Sequence, residues 1–99
     1  MKKILLLMAY PAVRLYRLAA DQGDAPAQYN LGVMYANGEG IPENDLAALM
    51  WFNLAATQGN DGAREEKARI EQTMTRVQIA DAQRLSREGI ASHPTDNIR

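Results

Sequence analysis

The sequence predicts an all-α fold, a solenoid of two antiparallel helix pairs closed by a C-terminal helix. Three observations carry this. Apolar residues recur at helix spacing, one stretch of the chain repeats itself 36 residues later, and a glycine follows each repeated helix. No segment shows the sustained two-residue alternation of a strand.

The repetition is direct. Ala19-Ala20-Asp21-Gln22-Gly23 returns as Ala55-Ala56-Thr57-Gln58-Gly59. Upstream, Ala12 pairs with Ala48, Leu15 with Trp51, Tyr16 with Phe52 and Leu18 with Leu54; downstream, Asp24 pairs with Asn60 and Ala27 with Ala63. An offset in the thirties is the length of one helix–turn–helix unit. Within each copy, Ala12, Leu15, Tyr16 and Ala19, then Ala48, Trp51, Phe52 and Ala55, follow the i, i+3, i+4, i+7 spacing of one helix face. These eight are the predicted buried stripes, which assigns Trp51 to the core rather than to a ligand platform.

Element by element, residues 1–11 form an apolar N-terminal segment, 12–47 the first repeat, 48–73 a second and terminal repeat, 74–89 a capping helix and 90–99 a flexible tail. In the first segment, Met1-Lys2-Lys3 followed by Ile4 to Ala9 imitates a secretory signal but falls short of the usual ~15–30 residues. It is also far short of the ~20 apolar residues of a membrane-spanning helix. The expectation is a short helix ending at Pro11, because proline disfavours helix at the preceding residue. Its Ile4, Leu5, Leu6, Leu7 and Met8 would pack over the first repeat as a cap or self-associate against a second copy of the chain.

Gly23 and Gly59 are placed to end the first helix of each pair in a left-handed conformation, with Asp24 and Asn60 capping the helices that follow. The second helix runs from Ala25 to Asn37, with Pro26 tolerated in its first turn and Ala27, Leu31, Met34 and Tyr35 on one side. Gly32 inside it costs ~1 kcal/mol against Ala and so marks the tightest helix crossing. Gly38 to Asn44 is a turn-rich connection, with Asp45 as the expected cap of the next helix. In the second copy Lys67 and Glu71 replace Leu31 and Tyr35, so this face needs no further repeat to cover it. Thr75 and Gln78 form a capping box before Val77, Ala80, Ala82 and Leu85, which suits a polar terminal helix.

Composition narrows the function. The chain has 99 residues, enough for one domain, with 46% hydrophobic and 23% charged residues, as in globular proteins. Lys and Arg number 11 against 12 Asp and Glu, which gives no basic field for nucleic acid. The absence of cysteine excludes a disulfide framework and thiolate metal sites and leaves both cytoplasm and periplasm open. His93 is the single histidine and lies in the tail, which argues against a zinc site. Glu65, Glu66 and Glu71, interspersed with Lys67 and Arg69, read as a solvated helix face. Gly38-Glu39-Gly40 lacks the lysine and hydroxyl residue of a phosphate loop and reads as a turn between repeats.

Tyr16, Ala19, Ala20, Gly23, Ala27, Gln28, Leu31, Gly32, Tyr35, Gly38, Gly40 and Ile41, then Ala48, Trp51, Ala55, Ala56, Gly59 and Ala63, resemble the Sel-one-like repeat. That family is a relative of the tetratricopeptide repeat, with the pattern Ala-Ala-x-x-Gly, a second helix with Leu-Gly-x-x-Tyr, and a Gly-x-Gly loop. The resemblance spans about Ala12 to Gly89. It implies a tetratricopeptide-like α/α superhelix, a bacterial origin and a role in binding other proteins. Leu15 stands where the family often has Trp, and the second repeat lacks Leu-Gly-x-x-Tyr.

The function expected is therefore a protein-interaction module or scaffold, without catalytic residues, cofactor or metal. Its partner, a protein or peptide, is expected on the concave face formed by Arg14, Arg17, Leu18 and Asp21 in the first copy and Met50, Asn53, Leu54 and Thr57 in the second. Leu18, Met50 and Leu54 are apolar residues off the core stripe, as exposed contact patches are. Two alternatives stand beside this reading. One is a remnant of a longer repeat protein, with Met1 to Tyr10 replacing earlier repeats. The other, a hydrolase-like enzyme, lacks the cysteines of the cysteine-rich relatives associated with penicillin-like compounds, and no nucleophile–base constellation supports it.

Overall fold

A computed structural model describes residues 2–88, with residues 2–10 described by backbone alone. Among the described residues there are five α-helices: α1 Lys2–Asp21, α2 Ala25–Asn37, α3 Asp45–Thr57, α4 Asp61–Glu71 and α5 Arg76–Glu88. Antiparallel pairs α1/α2 and α3/α4 make the tetratricopeptide-like repeat unit twice, and α5 closes the array. The tail from residue 89, with His93, and the packing of Ile4 to Met8 lie outside the described residues.

The helix ends follow from local sequence. Gly23 and Gly59 have φ of +94° and +92°. In the first pair Gly23 N–H donates to the Ala20 carbonyl and Asp24 N–H to that of Ala19. In the second, Gly59 donates to Ala56 and Asn60 to Ala55. This is the paired 5→2 and 6→1 pattern that satisfies the last carbonyls of a helix. The Asp24 carboxylate and the Asn60 amide oxygen then accept from the N–H of Ala27 and Ala63, capping α2 and α4. Thr75 and Gln78 bond reciprocally as a capping box at the start of α5.

Two expectations about helix ends are corrected. The cap of α3 is Asn44, not Asp45: Asn44 has the extended backbone of a cap and its side-chain oxygen accepts from Ala47 N–H, while Asp45 is already helical. Pro11 does not end a helix, since α1 runs through it from Lys2 to Asp21. A proline inside a helix removes one backbone bond and crowds the carbonyl four residues earlier, which kinks a helix more readily than it stops one when both flanks are good helix formers.

The core is built around α3, which packs on α2, α4 and α5, whereas α1 packs chiefly on α2. Ala48, Trp51, Phe52 and Ala55 are fully buried, as the second stripe predicts. Leu31, Leu49, Ala63 and Ala82 surround them, and the rings of Tyr29 and Phe52 meet with centroids 6.1 Å apart. The first stripe is corrected. Leu15 is 68% exposed, and α1 buries Val13 and Ala20 instead, with Tyr16 and Ala19 partly covered. Repeat equivalence carried the neighbours of Trp51 over to Leu15, but among the described residues α1 packs chiefly on α2, which leaves the Leu15 side uncovered.

Candidate functional site

Helices α3, α4 and α5 enclose an open groove of about 580 Å³. That volume falls in the range of ligand clefts, about 300–1,000 Å³. Its floor is the α3 side of Asn53, Ala56 and Thr57. On α4, Arg64, Lys67 and Glu71 recur at spacings of three and four, so one helix face turns them all into the groove. The opposite wall is Gln83, Ser86 and Arg87 of α5. That wall is held by fully buried Ala82 and by Ser86, whose hydroxyl donates to the Met50 carbonyl at 3.2 Å and to that of Ala82 at 2.8 Å.

Asn53 sits at the floor with 7% of its surface exposed; its Oδ1 and Nδ2 are sealed from solvent and have no hydrogen-bond partner among the described residues. Its backbone carbonyl is taken by the Thr57 hydroxyl at 2.8 Å. A buried amide left unpaired costs about 1–3 kcal/mol, so native proteins keep few of them. Trp51 Nε1 is likewise unpartnered, but Trp51 lies wholly in the core and does not line the groove.

The ion pairs separate bound cations from available ones. Arg69 is engaged by Glu66, whose hydrogen bond and charge raise the guanidinium pKa above its ordinary value. Arg84 pairs with Glu88 at 3.2 Å, and Arg64 reaches Asp61 loosely at 3.7 Å. Lys67 and Arg87 have no ion pair among the described residues, and both line the groove. Three cationic side chains thus face one carboxylate, Glu71, in a chain whose overall charge is −1.

Of the eight residues chosen from sequence, Asn53 and Thr57 line this groove. Met50 is not the exposed contact expected: it is 2% exposed, because α5 covers that side of α3. Leu54 is half-buried and packs against the core. On α1, Arg14, Leu18 and Asp21 are exposed, Leu18 at 63%. Arg17 is half-buried, and its Nη2 donates to the Tyr35 hydroxyl. Sequence reasoning missed Arg64, Gln83, Ser86 and Arg87. A signal for the α4 wall was present, since Lys67 and Glu71 depart from the repeat pattern at the positions of Leu31 and Tyr35.

Two helix pairs with a closing helix and a polar groove define a helical-repeat scaffold, a class that presents surfaces to other molecules. The Sel1 repeat matches residues 12–24 and 25–60, and the chain belongs to the Sel1-like repeat family. Sel1 repeats generally serve as non-enzymatic protein-interaction modules. The chain is 31% identical over 87 residues to DAP3-binding cell death enhancer 1 of Mus musculus, covering 88% of this chain and 16% of that protein. It is 40% identical over 55 residues to the exopolysaccharide production negative regulator of Rhizobium meliloti (strain 1021), covering 56% and 20% respectively. With a putative sel1-like repeat-containing protein of Acanthamoeba polyphaga mimivirus the identity is 46% over 44 residues, covering 44% and 8%. The chain therefore spans a fifth or less of the length of these relatives. No helix among the described residues is long and apolar enough to cross a membrane.

Proposed function

We propose that this chain is a protein-binding module that receives a segment of a partner protein in the groove between α4 and α5, over Asn53 of α3. The observation that carries the reading is an open groove whose walls present Lys67 and Arg87, neither in an ion pair among the described residues. The interaction role general to Sel1 repeats supports the reading, as does the printed name of the mouse relative, which describes that protein as DAP3-binding. Arg14 and Leu18 of α1 make a second exposed surface, away from the covered positions Met50 and Leu54.

The test is hydrogen exchange on the full chain alone and with a partner recovered by affinity capture. Protection is expected at residues 53–57, 64–71 and 83–87. Protection confined to α1 would move the binding surface to Arg14, Leu18 and their neighbours.

A further inference from the structure

We infer that the outer face of α1, away from the groove, docks a second copy of the chain, α1 against α1. The inference begins with exposure. Leu15 and Leu18 are 68% and 63% exposed, and Pro11 is exposed one turn before them. The residues that α1 buries, Val13 and Ala20, lie half a turn round the helix from this face, so its contact with α2 leaves the leucines in solvent. The sequence continues the stripe upstream. Ile4, Met8, Pro11, Leu15 and Leu18 are separated by steps of four, three, four and three, and α1 is helix over all five positions. That alternation is the repeat by which two helices pair along an apolar seam.

The rest of the chain argues for what covers this face. Helix α3 has α4 of its own pair on it and also α2 of the pair before. In an array, the cover for α1 is thus a helix like α2 from a preceding pair. Such a helix would arrive through a connection like residues 38–44, whose equivalents 36 positions earlier are residues 2–8. Those residues belong to α1 itself. The place of a connection is taken by about two further helical turns, which lengthen the apolar face. A head-to-tail stack through α4 fits no better, because α4 has Lys67 and Glu71 where α2 has Leu31 and Tyr35. A second α1 presents the same apolar stripe, and a patch that meets itself closes as a two-fold dimer.

A lipid surface is the rival taker of an exposed apolar helix face, and charge disfavours it. Arg14 and Asp21, one of each sign, lie exposed along one edge of the stripe, and the chain carries a net charge of −1. Helices that lie on anionic membranes have a cationic polar face.

The experiment measures the molar mass of the full chain by sedimentation equilibrium over a range of concentrations. The expected mass is that of two chains at high concentration, falling to one on dilution. Leu15→Glu combined with Leu18→Glu should give a single chain throughout, with the helical circular dichroism signal and melting temperature of the dilute parent. Leu15→Ala with Leu18→Ala, which keeps good helix formers, should weaken association by roughly tenfold or more. Lys67→Glu with Arg87→Glu, in the groove, should leave the dimer intact, so this inference and the reading of the groove fail separately. A parent chain that is still single at about 1 mM overturns the inference. So does a dimer that survives both α1 variants, or one that the groove variant dissociates. A parent that stays single but floats with phosphatidylserine vesicles, in a way the glutamate variant abolishes, assigns the face to lipid instead.

Discussion

A methyl group on Gly32 would lie 2.6 Å from Cε1 and 2.7 Å from Cδ1 of Phe52. Phe52 is fully buried, with Tyr29 against it, so its ring has no solvent-side space into which to retreat. Helix propensity favours alanine over glycine by about 1 kcal/mol, whereas overpacking a core costs about 1–3 kcal/mol. The clash should win: Gly32→Ala is expected to lower stability by about 1 kcal/mol or more, measured as a shift in the denaturation midpoint. In a Phe52→Leu background the same change should cost less by at least about 0.5 kcal/mol, the coupling of residues in contact. A Gly32→Ala protein that melts higher than the parent would show that propensity decides instead.

Leu15 and Trp51 are repeat-equivalent but sit in opposite surroundings, 68% and 0% exposed. In the dilute single chain, Leu15→Lys should therefore change stability by no more than about 0.5 kcal/mol, while Trp51→Ala should cost about 3–5 kcal/mol. Equal losses in urea unfolding at that dilution would mean that the α1 face is covered within one chain.

The start of α3 separates a cap from a helical neighbour. Asn44→Ala removes the acceptor for Ala47 N–H and should cost about 1 kcal/mol. Asp45→Ala removes only a favourable charge near the helix N-terminus, typically about 0.3–1 kcal/mol at low salt. Thermal melts in low and high salt distinguish the two, because the Asp45 effect fades with screening and the Asn44 effect persists.

Pro11 lies inside α1, where proline is about 3 kcal/mol less favourable than alanine. Pro11→Ala should raise both the helical circular dichroism signal and the melting temperature. Unchanged values for both would show that the turns preceding Pro11 are not helical in solution.

What the sequence revealed is what depends on residues within a turn or two of each other. Gly23, Gly59, Asp24, Asn60 and the Thr75–Gln78 pair each act on partners at most five positions away, and each performs its expected role. The two copies of the Ala-Ala-x-x-Gly turn even share their hydrogen-bond pattern. The groove was not legible in this way, because its walls come from helices whose relative placement no spacing rule fixes. Ser86 bonds to Met50 across 36 positions, and that docking converts Met50 from an apparent surface residue into a buried one. Leu15 failed for the complementary reason: periodicity shows which face of a helix is apolar, not how many neighbours come to cover it.

The central position of α3 has a kinetic consequence. Opening free energies within a protein range from near zero at its edges to the full unfolding energy in its best-packed element. Within one chain, helix α3 packs on α2, α4 and α5, whereas α1 packs chiefly on α2. The amide hydrogens of Trp51 and Phe52 should thus be the last to exchange with deuterated water, those of α1 among the earliest. Asn53 belongs to that slowest-opening stretch, so the groove has a persistent floor under walls that breathe on faster timescales. A ligand spanning both walls would slow exchange mainly in α4 and α5, drawing their lifetimes toward that of the helix beneath them.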